Sequence, residues 1–270
     1  MNDYITRYGE WAFVAGAAEG IGAAFANALA EKGMNLILAD INDTALQETA
    51  SKTEHLFGIS TQCLHVDLSK PANTKVCLEA LEGLDCRFMV YIPAYGPVKQ
   101  FHDNTEEELD RYLNLNVAVP LHLVHAFTGR IKQKKSGGVI LMSSLAGLVG
   151  PQFSSPYAAT KAFSILLAES LNRELKPCFI DVMACCAGPV STSTFWSSRP
   201  VIHGLLPTVL QPSDVASYAL KKLGRKSVCI PGRSNRVTYF FLTRLLPRAW
   251  ASALVSSAME RIYPHVKGTG

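Results

Sequence analysis

The sequence has no C-x-x-C pair and no even set of cysteines. Its seven, at positions 63, 77, 86, 178, 185, 186 and 229, fit the reduced thiols of a cytoplasmic chain better than a disulfide framework. Strong charge of one sign is also missing. The net charge is +4, and the densest cluster, Lys132-Gln133-Lys134-Lys135 before Ser136-Gly137-Gly138, reads as a solvated loop, so nucleic acid is not an expected partner. The N-terminus lacks a basic start, an apolar run and a small-residue cleavage site, which argues against a secretory signal. There is no internal repeat and no Pro/Gly/Ser linker, so one domain over 1–270 is expected.

What is present suits a large core: 48% of the 270 residues are hydrophobic and 18% charged. Short apolar runs at 11–15, 35–39, 62–66, 88–92, 138–143, 179–185 and 227–230 alternate with helix-period segments near 20–32, 42–54, 71–82, 105–129, 156–176 and 213–223. Strands apolar almost throughout belong in a parallel sheet covered on both faces. The pattern predicts an α/β fold, a Rossmann-type doubly wound parallel sheet of about seven strands. Two segments break the rhythm. Residues 190–212 form a long connection of the kind that carries function. Residues 234–263 are an apolar extension studded with arginines and interrupted by Pro247, too short and charged to span a bilayer. It could lie on a membrane surface, but a lid or subunit-contact helix is the preferred reading.

The turn Ala15-Gly16-Ala17-Ala18-Glu19-Gly20-Ile21-Gly22 links the first strand to the first helix. Its glycines follow G-x-x-x-G-x-G spacing, which permits a tight turn and lets backbone N–H groups approach a pyrophosphate at the helix start. Glycines also serve close helix–strand packing, but the flanking elements favour the nucleotide reading. Asp40 ends the second strand about 20 residues on, where a carboxylate binds an adenosine ribose diol. A helix cap by Asp40, Asn42 or Asp43 is the plainer alternative. Asp40 would repel a 2′-phosphate and Glu19 adds negative charge, so NAD is expected as cofactor in preference to NADP.

Tyr157 and Lys161 stand four apart on a predicted helix, one turn apart on one face. Such a pair arises by chance and decides nothing alone. With the glycine turn, Asp67 in Val66-Asp67-Leu68-Ser69, Asn116 in Leu113-Asn114-Leu115-Asn116, Ser144 thirteen residues before Tyr157, and Gly188-Pro189-Val190-Ser191-Thr192, the chain resembles the short-chain dehydrogenase/reductase family over roughly residues 10 to 232. The resemblance implies an NAD-dependent alcohol dehydrogenase or ketone reductase. It places Asn116, Ser144, Tyr157 and Lys161 in catalysis and Gly16, Glu19, Gly20, Ile21, Gly22, Asp40, Asp67, Leu68, Tyr157, Lys161, Val190 and Thr192 at the cofactor. It also implies that Lys161 binds the nicotinamide ribose, that Asn116 holds a relay water, and that helices 105–129 and 156–176 join subunits in a homodimer or homotetramer.

Chemistry supports the same roles. A tyrosine with an ordinary pKa near ~10 is a poor base, and a neighbouring ammonium and the positive nicotinamide would lower it. Ser144 would hold the substrate oxygen against Tyr157. Three departures from the family pattern stand out: Ala15 replaces a threonine, Ala187 a proline, and Tyr91-Ile92-Pro93-Ala94 the family's N-N-A-G. His122 and His125, at i, i+3, have no third ligand beside them, so no metal is expected.

After Thr192 come Phe195, Trp196, Val201, Ile202, Leu205, Leu206, Val209 and Leu210, a wall suited to a bulky apolar substrate, with Phe195 and Trp196 the foremost contacts. These residues could instead pack the loop against the domain or a neighbour. Arg199 or His203 could pair with a substrate carboxylate. Residues 8–36 and 82–94 look similar to bacterial hydroxysteroid dehydrogenases acting on bile acids, so a steroid or bile acid is the first expectation. A reductase of acyl or other carbonyl chains, and a catalytically idle nucleotide-binding protein, are the alternatives.

Overall fold

The computed structural model describes residues 3–202 and 208–266. In chain order it has α1 (Asp3–Tyr8), β1 (Trp11–Ala15), α2 (Gly20–Ala30), β2 (Asn35–Asp40), α3 (Asp43–Phe57), β3 (Thr61–His65), α4 (Asn73–Glu79) and β4 (Cys86–Tyr91). Then come α5 (Glu106–Leu113), a π-helical turn (Asn114–Ala118), α6 (Val119–Ile131), β5 (Gly137–Ser144), α7 (Ser155–Glu174) and β6 (Ile180–Ala187). The last are α8 (Ser193–Ser197), α9 (Pro212–Lys222), β7 (Val228–Cys229), α10 (Arg233–Arg244) and α11 (Arg248–Ile262).

The seven strands form one parallel sheet in the order β3-β2-β1-β4-β5-β6-β7. Because side chains alternate along a strand, β1 sends Ala12 and Val14 into one core layer and Phe13 and Ala15 into the other. The first layer gathers Phe25 and Leu29 of α2 with Val215 and Ala219 of α9. The second gathers Leu123 and Phe127 of α6 with Ile165 and Ala168 of α7. Burial on both faces is why the inner strands β1, β2, β4, β5 and β6 read as nearly unbroken apolar runs, while the edge strand β3 is only half-buried. Strand order reverses between β1 and β4, which opens a crevice at their carboxyl ends.

The helix expected over 105–129 is interrupted. Pro120, at the start of α6, has no N–H to give the Asn116 carbonyl, and the chain widens into the π turn, with the Val119 N–H bonding back to the Asn114 carbonyl. The connection 190–212 holds the single turn of α8, and its ends are stitched by the Ser191 N–H to the Leu210 carbonyl at 2.9 Å.

Candidate active site

The site lies at the reversal of strand order. Gly16 and Gly20 have φ of 76° and 57°, in the left-handed region that side chains avoid. A Cβ on Gly22 would stand 1.7 Å from the Gly16 carbonyl oxygen, so only glycine lets α2 start so close to the turn. Glu19 precedes α2, and its exposed side chain makes no capping bond, so the helix presents its N-terminus with its partial positive charge to the crevice. That cradle fits a pyrophosphate.

Asp40 accepts hydrogen bonds from the Ala18 N–H and the Asn42 N–H, each at 3.0 Å. It ties β2 to the glycine turn; the cap of α3 is Asn42, which accepts from the Ala45 N–H. Beyond β3, Asp67 accepts from the backbone and hydroxyl of Ser69 at 2.9 and 2.7 Å. Partial burial raises its pKa, but these bonds, with Lys70 and Arg111, bring it below the ordinary value. Leu68 is buried beside it. Pro93 presses its ring against Gly16, within 3.0 Å of where a Cβ would be, so the departure at 91–94 fills the space over the turn.

Ser144 ends β5 and its hydroxyl accepts from the Ala146 N–H at 3.2 Å. Tyr157, in the first turn of α7, reaches this serine, and Lys161 lies one turn deeper, its Nζ 5.6 Å from the tyrosine ring centre. The lysine is buried and donates to the Met142 carbonyl at 2.7 Å. Burial pushes Lys161 down to about 8, against the opposing influence of the Cys186 thiol. The lowering of the tyrosine pKa expected from the sequence calls on the positive nicotinamide as well as the lysine; the protein groups alone shift Tyr157 upward. Burial raises Tyr157, and the hydrogen bond with Ser144 offsets only part of that.

Asn116 is buried at the centre of the π turn. Its Oδ1 accepts from the Tyr95 N–H, and its Nδ2 donates to the Tyr95 carbonyl and to Thr160 Oγ1, at 2.8 to 3.0 Å. Both donor hydrogens are thus occupied, one in clamping the 93–98 loop and one on α7. Val190 is buried, and Thr192 caps α8 by accepting from the Phe195 N–H while its methyl group covers Gly20.

Gly16, Glu19, Gly20, Ile21, Asp40, Asp67, Leu68, Ser144, Tyr157, Lys161, Val190 and Thr192 line one cavity of about 920 Å³, while Gly22 and Asn116 stand off its wall. Glu19, Asp40, Asp67 and Leu68 line one end, Ser144, Tyr157 and Lys161 the middle, and Phe195, Ile202 and Val209 the other. Trp196 is placed differently from expectation. Neighbours on a helix point about 100° apart, so with Phe195 turned inward Trp196 faces out, half exposed, its indole donating to Ser191 Oγ. Arg199 is exposed and off the cavity wall, and Leu210 packs into the core. His203, Leu205 and Leu206 lie outside the described residues.

Three features escaped the sequence. Leu242 of α10 with Leu254, Val255, Met259 and Ile262 of α11 complete the apolar end, and Arg261 stands on the same wall. Gly96 lies against the Tyr157 ring: a Cβ there would be 2.4 Å from Cδ2. Its only sequence signal is a Gly-Pro dipeptide, which marks a turn and not a site.

Residues 10–201 match the sequence profile of the short chain dehydrogenases. The chain belongs to that family. As a short-chain dehydrogenase it is an alcohol dehydrogenase/ketone reductase of a fold that binds nicotinamide cofactors. Among similar proteins, the 7β-hydroxysteroid dehydrogenase of Clostridium sardiniense is 30% identical over 85% of this chain and 88% of its own. That of Collinsella aerofaciens is 28% identical over 85% and 89%. A solved 7β-hydroxysteroid dehydrogenase structure superposes with a TM-score of 0.87 at 26% identity, covering 93% of this chain and 98% of its own. The short-chain dehydrogenase match includes α2, β5 and α7, and thus the glycine turn and the Ser144–Tyr157–Lys161 group.

Proposed function

We propose that this short-chain dehydrogenase transfers a hydride between NAD and a hydroxysteroid carrying an acidic tail, a bile acid with a 7-hydroxyl or 7-keto group being the first candidate. The observation that carries the reading is the two-ended cavity: acidic at the glycine turn, apolar beyond Tyr157, with Arg261 the one cation lining that far end among the described residues. A rigid apolar ring system suits such a wall, and one guanidinium suits a carboxylate at its end.

The N-terminus of α2, with Gly16, Gly20, Ile21 and Gly22, would hold the pyrophosphate, Asp40 the adenosine ribose, Asp67 and Leu68 the adenine. Lys161 would hold the second ribose, and Val190 and Thr192 the carboxamide. When bound, the nicotinamide accepts or supplies the hydride. Ser144 donates a hydrogen bond to the substrate oxygen and holds it against Tyr157. Tyr157 takes the hydroxyl proton during oxidation and returns it during reduction. The Lys161 ammonium, present below pH of about 8, favours the phenolate. Asn116 fixes the loop that bears on the tyrosine, and any relay water it holds must be bound through its carbonyl oxygens.

A turnover panel tests this. Bile acids, neutral hydroxysteroids, aliphatic ketones and acyl thioesters are assayed with NAD and NADP in parallel. Bile acids with NAD should give the highest kcat/KM. Faster turnover with NADP would overturn the argument from Asp40. Preference for acyl thioesters would overturn the steroid, and equal rates with neutral and acidic steroids would remove Arg261 from recognition.

A further inference from the structure

α10 turns Asn235, Tyr239 and Leu242 inward, at helical spacing, and Leu246 just after it packs against the same core. Its opposite face shows Val237, Phe240, Phe241 and Leu245 to solvent, and Trp250 and Leu254 of α11 extend the patch to the cavity mouth. Each of these six is more than half exposed, Trp250 at 67%. Arg233, Arg244 and Arg248 flank them, and no Asp or Glu occurs between Asp214 and Glu260. Among the described residues none of these arginines forms an ion pair. No helix is long and apolar enough to cross a membrane.

We propose that the outer face of α10 and the start of α11 docks on an anionic lipid surface, with the cavity mouth turned toward the bilayer. Exposed aromatics between arginines, without a carboxylate, match a helix that lies in the interface of a negatively charged leaflet. A second copy of this chain is the competing occupant. A two-fold contact sets the same patch against itself, so Arg244 and Arg248 would meet their own copies with no acid in the segment to neutralise them. Leu254 belongs both to the patch and to the cavity wall, so an apolar substrate dissolved in lipid would meet the mouth directly. The docking does not depend on the cofactor or substrate proposed above.

The test is co-sedimentation of the full chain with phosphatidylcholine vesicles, with and without about 30% phosphatidylserine. Binding should require phosphatidylserine and fall as NaCl rises from about 0.1 to 0.5 M. Arg244→Gln with Arg248→Gln should weaken it at least about tenfold, and Phe240→Ser with Phe241→Ser should weaken it comparably, with turnover of a soluble substrate unchanged. If the serine variant fails to fold, brominated lipid should quench tryptophan emission more in the wild type than in Trp250→Phe. Failure to sediment with anionic vesicles, or binding indifferent to phosphatidylserine and to the arginines, overturns the proposal. So does a fall in the oligomeric mass of Phe240→Ser, which would assign the face to a second copy.

Discussion

Lys161 holds its proton against its surroundings. Its ammonium is buried, and a pKa depressed from 10.5 to about 8 corresponds to roughly 3 kcal/mol of opposition to the charged form. At pH 7 the lysine is charged folded and unfolded alike, so the folded state bears that cost in full. Lys161→Met removes it and loses the bond to the Met142 carbonyl, leaving a net gain of about 1 kcal/mol and a melting temperature ~2–4 °C higher, with turnover lost. The sign of the pH dependence follows from linkage. Between pH of about 8 and 10.5 the unfolded chain keeps the proton and the folded one has released it, so wild-type stability rises with pH relative to the variant. Melting curves of both proteins at pH 7 and pH 9.5 check this; a gap that widens with pH would contradict it. Gly96 gives a second residue-level prediction. Gly96→Ala sets a methyl carbon within 2.4 Å of the Tyr157 ring, so kcat should fall at least about a hundredfold, the range a displaced acid–base group loses. Because the loop is open to solvent there, the melting temperature should move by less than about 2 °C. Steady-state kinetics beside a thermal melt distinguish this from unfolding. Neither effect was legible in the sequence, which shows Tyr157 and Lys161 as a spacing but not what packs against them.

Among the elements, the π turn at 114–118 shows how far periodicity reaches. The apolar pattern of 105–129 continues through it, because one extra residue per turn shifts the inward face too little to break a repeat. What the sequence did show was an asparagine in a helix interior, an unfavourable place without a specific partner. The partner is Tyr95: Asn116 matches both backbone groups of that residue as a strand neighbour would. Asn116→Ala leaves them unmatched and should cost about 2 kcal/mol, a melting temperature lower by ~4–8 °C. Gly96 follows Tyr95 in the same loop, so kcat should fall with the stability while the affinity for NAD, read by fluorescence titration, changes little. A large loss of NAD affinity would mean that the clamp serves the cofactor end instead. The inner strands were the most legible elements, since burial on both faces leaves a sequence run with no alternation to mistake. α1 and α8 were not, because six- or five-residue helices have too few turns to show a period. α1 is held by tertiary partners such as Asp181 for Arg7 and Tyr8, whereas the break between α10 and α11 falls at the Pro247 that the sequence showed.

For the whole molecule, two of the surfaces that carry exposed apolar side chains face different demands. One is the arginine-flanked face of α10 and α11. The other is built by α5, α6 and α7, which pack side by side through the π turn and leave Leu113, Leu121 and Leu166 outward, Leu166 at 65% exposure. Charge separates them. α5 begins with Glu106, Glu107 and Glu108 and also carries Arg111, while α7 ends with Arg173 and Glu174, so a two-fold pairing of this second surface can set acids against bases around an apolar centre. We therefore expect the chain to form a homodimer, or a tetramer containing it, through α5, α6 and α7. Leu121→Glu with Leu166→Glu sets carboxylates at that centre and should shift the mass in light scattering toward the 29.4 kDa of one chain. Phe240→Ser with Phe241→Ser should leave the mass unchanged. The glutamates lie off the cavity wall, so a monomer that still turns over substrate would show that the site is complete within one chain. If the mass stays oligomeric in the glutamate variant, the second surface is not the contact, and the subunit-contact role that the resemblance assigns to these two helices does not hold for this chain.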